Sequence, residues 1–297
     1  MINIKQSIER IEEDGFVDLT GLITKNTINK IYDSVSRPFS VTHVNGRRGY
    51  IKMGDQHFLA NTLTWGKEII DTYTNPHLIE LCEKYSESEV HLSNYRIYKT
   101  LPSMDFSMWW HVDNKIDKYN YDTNAFEVSV ISADKGLIII MYLVDVEEGG
   151  VQLVKGSHKW SRKHLEKESF DDMEDSFKEN IVTFNNKPKG TLIAYDYATI
   201  HRATPYNKGK SRMSLFGQYS PTWMPNGEPI ILDARDIANL STQQKRILNF
   251  GKTSSTENWP ISKPVESLNL KEIKDLIQKQ STGTLVKEVF KRFFRKR

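Results

Sequence analysis

Residues 136–144 read Gly-Leu-Ile-Ile-Ile-Met-Tyr-Leu-Val, the longest apolar run in the chain. A continuous run of this length suits a strand buried on both faces and is far too short to cross a membrane as a helix. Shorter strand-like stretches flank it: HLSNYRIYKT at 91–100, GGVQLV at 149–154, TLIAYD at 191–196 and RMSLFGQYS at 212–220, separated by Gly, Asn and Lys turns. Many short strands in succession argue for an all-β sandwich or barrel as the core, here over about residues 90–221.

Helical grammar surrounds that core. IKQSIERIEEDG sets Ile4, Ile8 and Ile11 on one face and stops at Gly15, and TKNTINKIYDSV repeats the pattern with Ile28, Ile31 and Val35. WGKEIIDTYTNPHLIELCEKY reads as two helices broken around Asn75-Pro76. VNGRRGYIKMGDQH at 44–57 reads as a basic loop, whose Arg47, Arg48 and Lys52 suit either an acidic substrate or plain solvation. Residues 114–135 show little periodicity, as a functional loop or lid would. FDDMEDSFKEN at 170–180 reads as an exposed acidic helix, its carboxylates on a solvated face rather than around a metal.

Helices return after residue 235 with RDIANLSTQQKRIL. The expected organisation is one mainly β domain with its N-terminal helices over 1–234 and a helical extension over 235–297. That extension ends in TLVKEVFKRFFRKR, where Leu285, Val286, Val289, Phe290, Phe293 and Phe294 recur at helical spacing among six basic residues and one acidic. Two readings stand: the stripe packs on the core or a second subunit, which is preferred, or the helix lies on an anionic membrane surface.

The net charge of +3 does not call for a nucleic-acid partner, which shows as a strongly basic face. The single cysteine, Cys82, rules out an intramolecular disulfide framework and fits a reducing compartment. The first residues, MINIKQSIERIEEDGF, hold no apolar signal-peptide core, so a cytoplasmic location is expected, with membrane contact only through the basic tail.

Within MWWHVDN at 108–114 stands His111-x-Asp113. Two histidines and one carboxylate on one face of the ion are the ligand set of non-haem Fe(II), leaving positions open for a cosubstrate and O₂. Residues two apart on a strand share a face, so His111 and Asp113 can turn toward one ion. The second histidine must come from a distant strand. His158 and His164 lie in a basic turn that reads as exposed, whereas His201 closes the apolar stretch TLIAYDYATIH, and it is the choice. Eleven residues later, Arg212 and Ser214 face the same way on a strand. A guanidinium there fits the distal carboxylate of a diacid such as 2-oxoglutarate, and a hydroxyl adds a donor.

The order His-x-Asp, buried strand, EEGGVQLVKGSHKW, then His-x₁₀-Arg-x-Ser resembles the phytanoyl-CoA dioxygenase family of Fe(II)- and 2-oxoglutarate-dependent oxygenases. The resemblance runs from EEDGFVDLTGLI at 12–23 to QYSP at 218–221, and its most specific piece is GGVQLVKGSHKW. It implies a double-stranded β-helix (a jelly-roll, cupin-like core) with helices outside, and His111, Asp113 and His201 as metal ligands. It implies Arg212 as the partner of 2-oxoglutarate, with Ser214 and Tyr142 as further cosubstrate contacts. The implied activity consumes O₂ and releases succinate and CO₂ while oxidising a small-molecule, lipid-linked or sugar-linked substrate, with Trp109, Trp110 and the 114–135 segment as a shield. A carboxylate at 113 implies hydroxylation rather than halogenation. The family proline before Gly156 is Lys155 here, which is expected to loosen a turn, and Glu148 stands where the family often has Asn. Two rivals remain at this point: a non-catalytic β-helix binding domain and a cupin-type metal-dependent isomerase.

Overall fold

The computed structural model describes residues 2–36, 50–53, 56–59, 61–102, 109–113, 115–120, 125–131, 135–160, 170–204, 206, 209–222, 224, 230–232 and 234–249. Arg47, Arg48, His164 and the basic stretch 284–297 lie outside the described residues.

The N-terminal helices form where the apolar spacing placed them. Helix α1 (Ile4–Asp14) buries Ile11 and ends at Gly15, whose φ of 90° is left-handed and whose N–H returns to the Ile11 carbonyl. A Cβ on Gly15 would lie 2.7 Å from both His158 Nδ1 and Thr199 Oγ1, so glycine lets the helix end sit against the core. Helix α2 (Lys25–Ser36) buries Ile28, Ile31 and Val35. Helices α3 (Lys67–Tyr73) and α4 (Pro76–Ser86) part at Asn75, which caps α4 by accepting from the His77 and Leu78 N–H groups.

The described residues form twelve strands, some of them between these helices: β1 (Phe16–Asp18), β2 (Tyr50–Met53), β3 (Gln56–Leu59), β4 (Val90–Thr100), β5 (Lys115–Asn120), β6 (Ala125–Ile131), β7 (Leu137–Tyr142), β8 (Val151–Val154), β9 (Ile181–Thr183), β10 (Leu192–Asp196), β11 (His201–Ala203) and β12 (Arg212–Pro221). The major sheet runs β1-β10-β7-β12-β4-β3-β2, with every pair antiparallel. A minor sheet runs β11-β8-β9. This is the expected double-stranded β-helix.

The apolar run is buried on both faces as expected, and its alternation divides two cores. Leu137, Ile139 and Met141 pack with the helices, while Ile138 and Tyr142 pack with Val151, Leu153, Ile193 and Tyr195 between the two sheets.

Two expectations are corrected here. Part of the supposed 44–57 loop is the hairpin β2–β3, which docks through β3 onto β4 with Leu59 opposite Ile97. The supposed loop at 114–135 contains the antiparallel hairpin β5–β6, a two-stranded sheet of its own. In both, cross-strand pairing supplies the order that weak periodicity failed to signal. At the other end, Ile247 and Leu248 enter the same core as the N-terminal helices. Among the described residues no helix is long and apolar enough to cross a membrane.

Candidate metal centre

His111 and His201 reach each other through an isolated antiparallel bridge. His111 N–H donates to the His201 carbonyl at 3.0 Å, and His201 N–H donates back at 2.9 Å. Asp113 N–H donates to Tyr197 at 2.8 Å. These backbone ties fix three side chains from distant sequence positions over one point.

The rings are oriented from behind. His111 Nδ1 lies 2.9 Å from the Trp109 carbonyl, and His201 Nδ1 lies 2.9 Å from the Thr199 carbonyl. A carbonyl only accepts, so each Nδ1 carries the proton and each Nε2 presents its lone pair forward. His201 Nε2 then lies 3.3 Å from Asp113 Oδ2, and His111 Nε2 lies 3.7 Å from Asp113 Oδ1. One atom from each residue fits within a mutual 4.8 Å. Three acceptors facing one another are unfavourable unless a shared cation sits among them. Burial pushes the Asp113 carboxyl upward, but positive charge on His201 and His111, with Arg96, outweighs it and holds the group at about 2, and a shared metal cation in place of the imidazole protons would act in the same direction. The donor set, its ionisation and its rear hydrogen bonds fit a divalent metal of the borderline kind that imidazole and carboxylate share.

These residues form one wall of a cavity of about 250 Å³. Arg212, Ser214 and Tyr142 line it as well. Arg212 is 7% exposed. It donates through Nη2 to Thr100 Oγ1 at 3.2 Å, and its own backbone N–H donates to the Tyr206 hydroxyl. Among the described residues no carboxylate pairs with it. Burial lowers its pKa, opposed by Tyr142 and Tyr206, and a buried guanidinium without a counter-ion calls for an anionic ligand. Ser214 sits opposite both Tyr98 and Tyr142. The Tyr142 hydroxyl accepts from Val151 N–H at 3.0 Å and contacts the Phe184 carbonyl at 3.3 Å, so backbone already engages it and its ring forms the wall.

Other expectations change. Neither tryptophan of MWWHVDN lines the cavity: Trp110 is fully buried in a small core with Phe170 and Phe177, and Trp109 is 62% exposed. Segment 170–180 is a broken helix whose Asp171, Asp172, Asp175 and Glu179 are exposed as expected, while Glu174 and Asp171 also brace the strands that carry the two histidines. Glu174 takes two hydrogen bonds from Arg202, at 3.1 and 2.9 Å, and one from Trp110 Nε1 at 3.0 Å. Asp171 accepts from Trp110 N–H, and the Arg202 guanidinium lies 4.2 Å from the Trp110 ring centroid. His158, read as exposed, is half-buried against α1, with Nε2 3.2 Å from the Glu12 carbonyl. Lys155, where a looser turn was expected, ties that turn to two neighbouring segments. Its N–H, which proline lacks, donates to Asn180 at 2.8 Å, and its Nζ meets Asp14 at 3.1 Å. Glu148 is exposed.

Sequence reasoning passed over Asn94, Arg96, Tyr98 and Gln218, all of which line the cavity. Their signal was present: Asn94, Arg96 and Tyr98 stand two apart on one face of β4, interleaved with apolar Tyr95 and Ile97.

The phytanoyl-CoA dioxygenase (PhyH) family model matches residues 102–214, a span that includes His111, Asp113, Tyr142, His201, Arg212 and Ser214. Over that span, with its fold and its site geometry, the chain is similar to the Fe/2-oxoglutarate-dependent enzymes of the PhyH type. Among curated proteins, none matches the chain. Similar solved structures include AviO1 from Streptomyces viridochromogenes Tue57, at TM-score 0.56 and 15% identity, covering 76% of this chain and 98% of that one. The non-heme alpha-ketoglutarate-dependent carbocyclase SnoK from nogalamycin biosynthesis aligns at TM-score 0.57 and 15% identity over 80% and 90%. HygX from Streptomyces hygroscopicus, solved with nickel, 2-oxoglutarate and hygromycin B, aligns at TM-score 0.53 and 14% identity over 75% and 89%. At such identities these structures speak to the fold.

Proposed function

We propose that this protein is an Fe(II)- and 2-oxoglutarate-dependent dioxygenase that hydroxylates a small molecule, with release of succinate and CO₂. The observation that carries the reading is one cavity with two complementary walls. On one wall, three metal-type acceptors lie within 4.8 Å of one another; on another stands Arg212, a buried cation with no carboxylate partner among the described residues. His111, Asp113 and His201 would hold the iron, which when bound supplies O₂ activation coupled to decarboxylation of the keto acid. Arg212 would fix the distal carboxylate by a charge-assisted pair, with Ser214 and Thr100 as hydroxyl neighbours. The carbonyls of Trp109 and Thr199 keep the imidazoles neutral and aimed. Asp113 occupies the position that a halogenating site leaves to chloride, which supports hydroxylation.

The test is succinate formation by purified protein supplied with Fe(II), 2-oxoglutarate and air, against a panel of metabolites. Succinate production that requires iron and is lost in Asp113→Ala supports the reading. Wild-type protein that binds Fe(II) but neither binds nor consumes 2-oxoglutarate would leave the field to a binding domain or a cupin-type isomerase. Product mass then separates hydroxylation, a gain of one oxygen, from ring closure or epimerisation, which add none.

A further inference from the structure

The inner faces of β4 and β12 form a ladder across the cavity. Arg212 stands opposite Thr100, Ser214 opposite Tyr98, Phe216 opposite Arg96, and Gln218 opposite Asn94. Six residues of strand separate Arg212 from Gln218, roughly 20 Å at strand rise. A five-carbon diacid is only about 5 Å long from the lengths of its bonds. A diacid held at the Arg212 end therefore leaves the Gln218 end for another molecule.

That far end carries distinct chemistry. Asn94 Nδ2 donates to Gln218 Oε1 at 2.7 Å, the only side-chain hydrogen bond either amide makes among the described residues. Gln218 is 9% exposed, and both amides line the cavity. The pair keeps an amide donor on Gln218 and a carbonyl acceptor on Asn94 in the cavity wall, where a ligand can reach them. Exchanging O and N on both side chains still leaves donors and an acceptor. Filling this space with an acyl chain would strand those groups, a large penalty in a buried site. A hydroxyl both donates and accepts and matches the pair. The aromatic rings of Tyr195 and Phe216 also line the cavity and offer flat apolar surfaces to the carbon face of a ring. The end is near the metal as well. Gln218, Ile138 and Tyr195 lie in one row across three strands, and the Tyr195 ring is 4.9 Å from the His201 ring.

We propose that the Asn94–Gln218 amide pair is the recognition subsite for the prime substrate, and that this substrate presents ring hydroxyls, as a sugar or cyclitol does. The proposal rests on the oxygenase reading above, since it treats the Arg212 end as taken by the cosubstrate.

The test is binding by ligand-observed NMR to full-length protein loaded with Co(II) and 2-oxoglutarate under nitrogen. The probes are phenyl β-glucoside, myo-inositol and palmitoyl-CoA. Binding of 2-oxoglutarate to wild type is measured first: its absence sinks the oxygenase reading, whereas its presence without binding of either hydroxylated probe sinks only the subsite. The expected result is saturable binding of phenyl β-glucoside or myo-inositol, weakened about tenfold or more by Gln218→Leu and by Asn94→Leu. Gln218→Glu keeps the shape and an acceptor but loses the amide donor. It must weaken the same probe, which covers the case in which leucine disturbs the strand. Hydroxylated-probe binding that none of these substitutions weakens, or binding of palmitoyl-CoA alone, overturns the proposal.

Discussion

The two faces of the major sheet are built from the same strands and obey opposite rules. On the helix side, Tyr95, Ile97, Ile139, Met141, Leu215 and Tyr219 form a continuous apolar layer under α1–α4. On the cavity side, the alternate residues Asn94, Arg96, Arg212, Ser214 and Gln218 are polar or charged, yet mostly withdrawn from bulk solvent. Burial on the first face removes apolar area from water and stabilises the fold. On the second face it takes polar groups out of water, above all Arg212, which has no carboxylate partner among the described residues, and that costs stability unless a ligand compensates. The comparison teaches that substitutions on adjacent residues of one strand should separate cleanly into losses of binding and losses of fold.

The largest expected effect lies on the cavity face. Arg212→Ala removes the buried cation, and an unpaired buried carboxylate on the ligand costs about 3–5 kcal/mol. The dissociation constant for 2-oxoglutarate, measured by calorimetry with Co(II) under nitrogen, should rise by two orders of magnitude or more. Thermal stability should hold or improve, because a buried charge with no carboxylate partner among the described residues is gone. A large fall in melting temperature with unchanged 2-oxoglutarate affinity would put Arg212 on the structural side of the comparison.

Leu215 stands next but two along the chain, faces the other way and is fully buried. Leu215→Ala should cost about 3 kcal/mol of unfolding free energy through lost transfer and a residual cavity. The folded fraction should bind 2-oxoglutarate as the wild type does. Chemical denaturation beside calorimetry reads both quantities on one sample, and a loss confined to affinity would break the division between faces.

The helix side has polar exceptions among the described residues, and one of them sharpens the rule. Asp196, at the end of β10, is 4% exposed and accepts from the Tyr85 hydroxyl at 2.7 Å and from Ala198 N–H at 2.6 Å. Burial raises its pKa from 3.8 to about 6 despite those bonds. A group whose folded pKa is raised stabilises the fold while protonated and loses that contribution as pH climbs through the folded value. The contribution of Asp196 is therefore present below about pH 4 and fades by about pH 6. Asp196→Asn keeps an acceptor and cannot ionise. It should melt like the wild type at low pH and higher at pH 8, a difference on the order of 2 kcal/mol. A gap that does not vary with pH would show that Asp196 does not ionise in this range.

Much of this division was legible before any coordinates. Ile4, Ile8 and Ile11 spelled α1, Asn75-Pro76 spelled the break before α4, and the 136–144 run spelled a strand covered on both sides. The His-x-Asp pair, His201 and Arg212 could be picked out because strand periodicity gives each a facing direction. What stayed hidden depends on contacts far apart in sequence. Hairpin β2–β3 owes its order to pairing with β4, and nothing local in GYIKMGDQH announces that partner. Lys155 looked like a weakened turn because proline lacks the N–H that Asn180 receives, and only the folded chain shows the acceptor. FDDMEDSFKEN reads as a solvated acidic face because its two aromatics, Phe170 and Phe177, are outnumbered. Their partner, Trp110, lies some sixty residues upstream.

That hidden segment yields the smallest and most discriminating effect. Glu174 touches neither the cavity nor the candidate metal ligands, yet it joins the residue after His201 to the residue before His111 through Arg202 and Trp110. If this link holds the two histidine strands in register, Glu174→Gln weakens the Arg202 pair while keeping the side-chain shape. Co(II) affinity should then fall about tenfold, the lower end of what outer partners of metal ligands contribute. The melting temperature without metal should shift by no more than an exposed ion pair is worth, under about 1 kcal/mol. Arg202→Lys should do the same, since an ammonium cannot reproduce the two-pronged contact. The double variant should be no worse than either single, because the two residues act through one contact. Additive losses would mean that each braces the site separately. Unchanged metal affinity in all three would return the segment to the role its composition first suggested, a polar cover over Phe170 and Phe177.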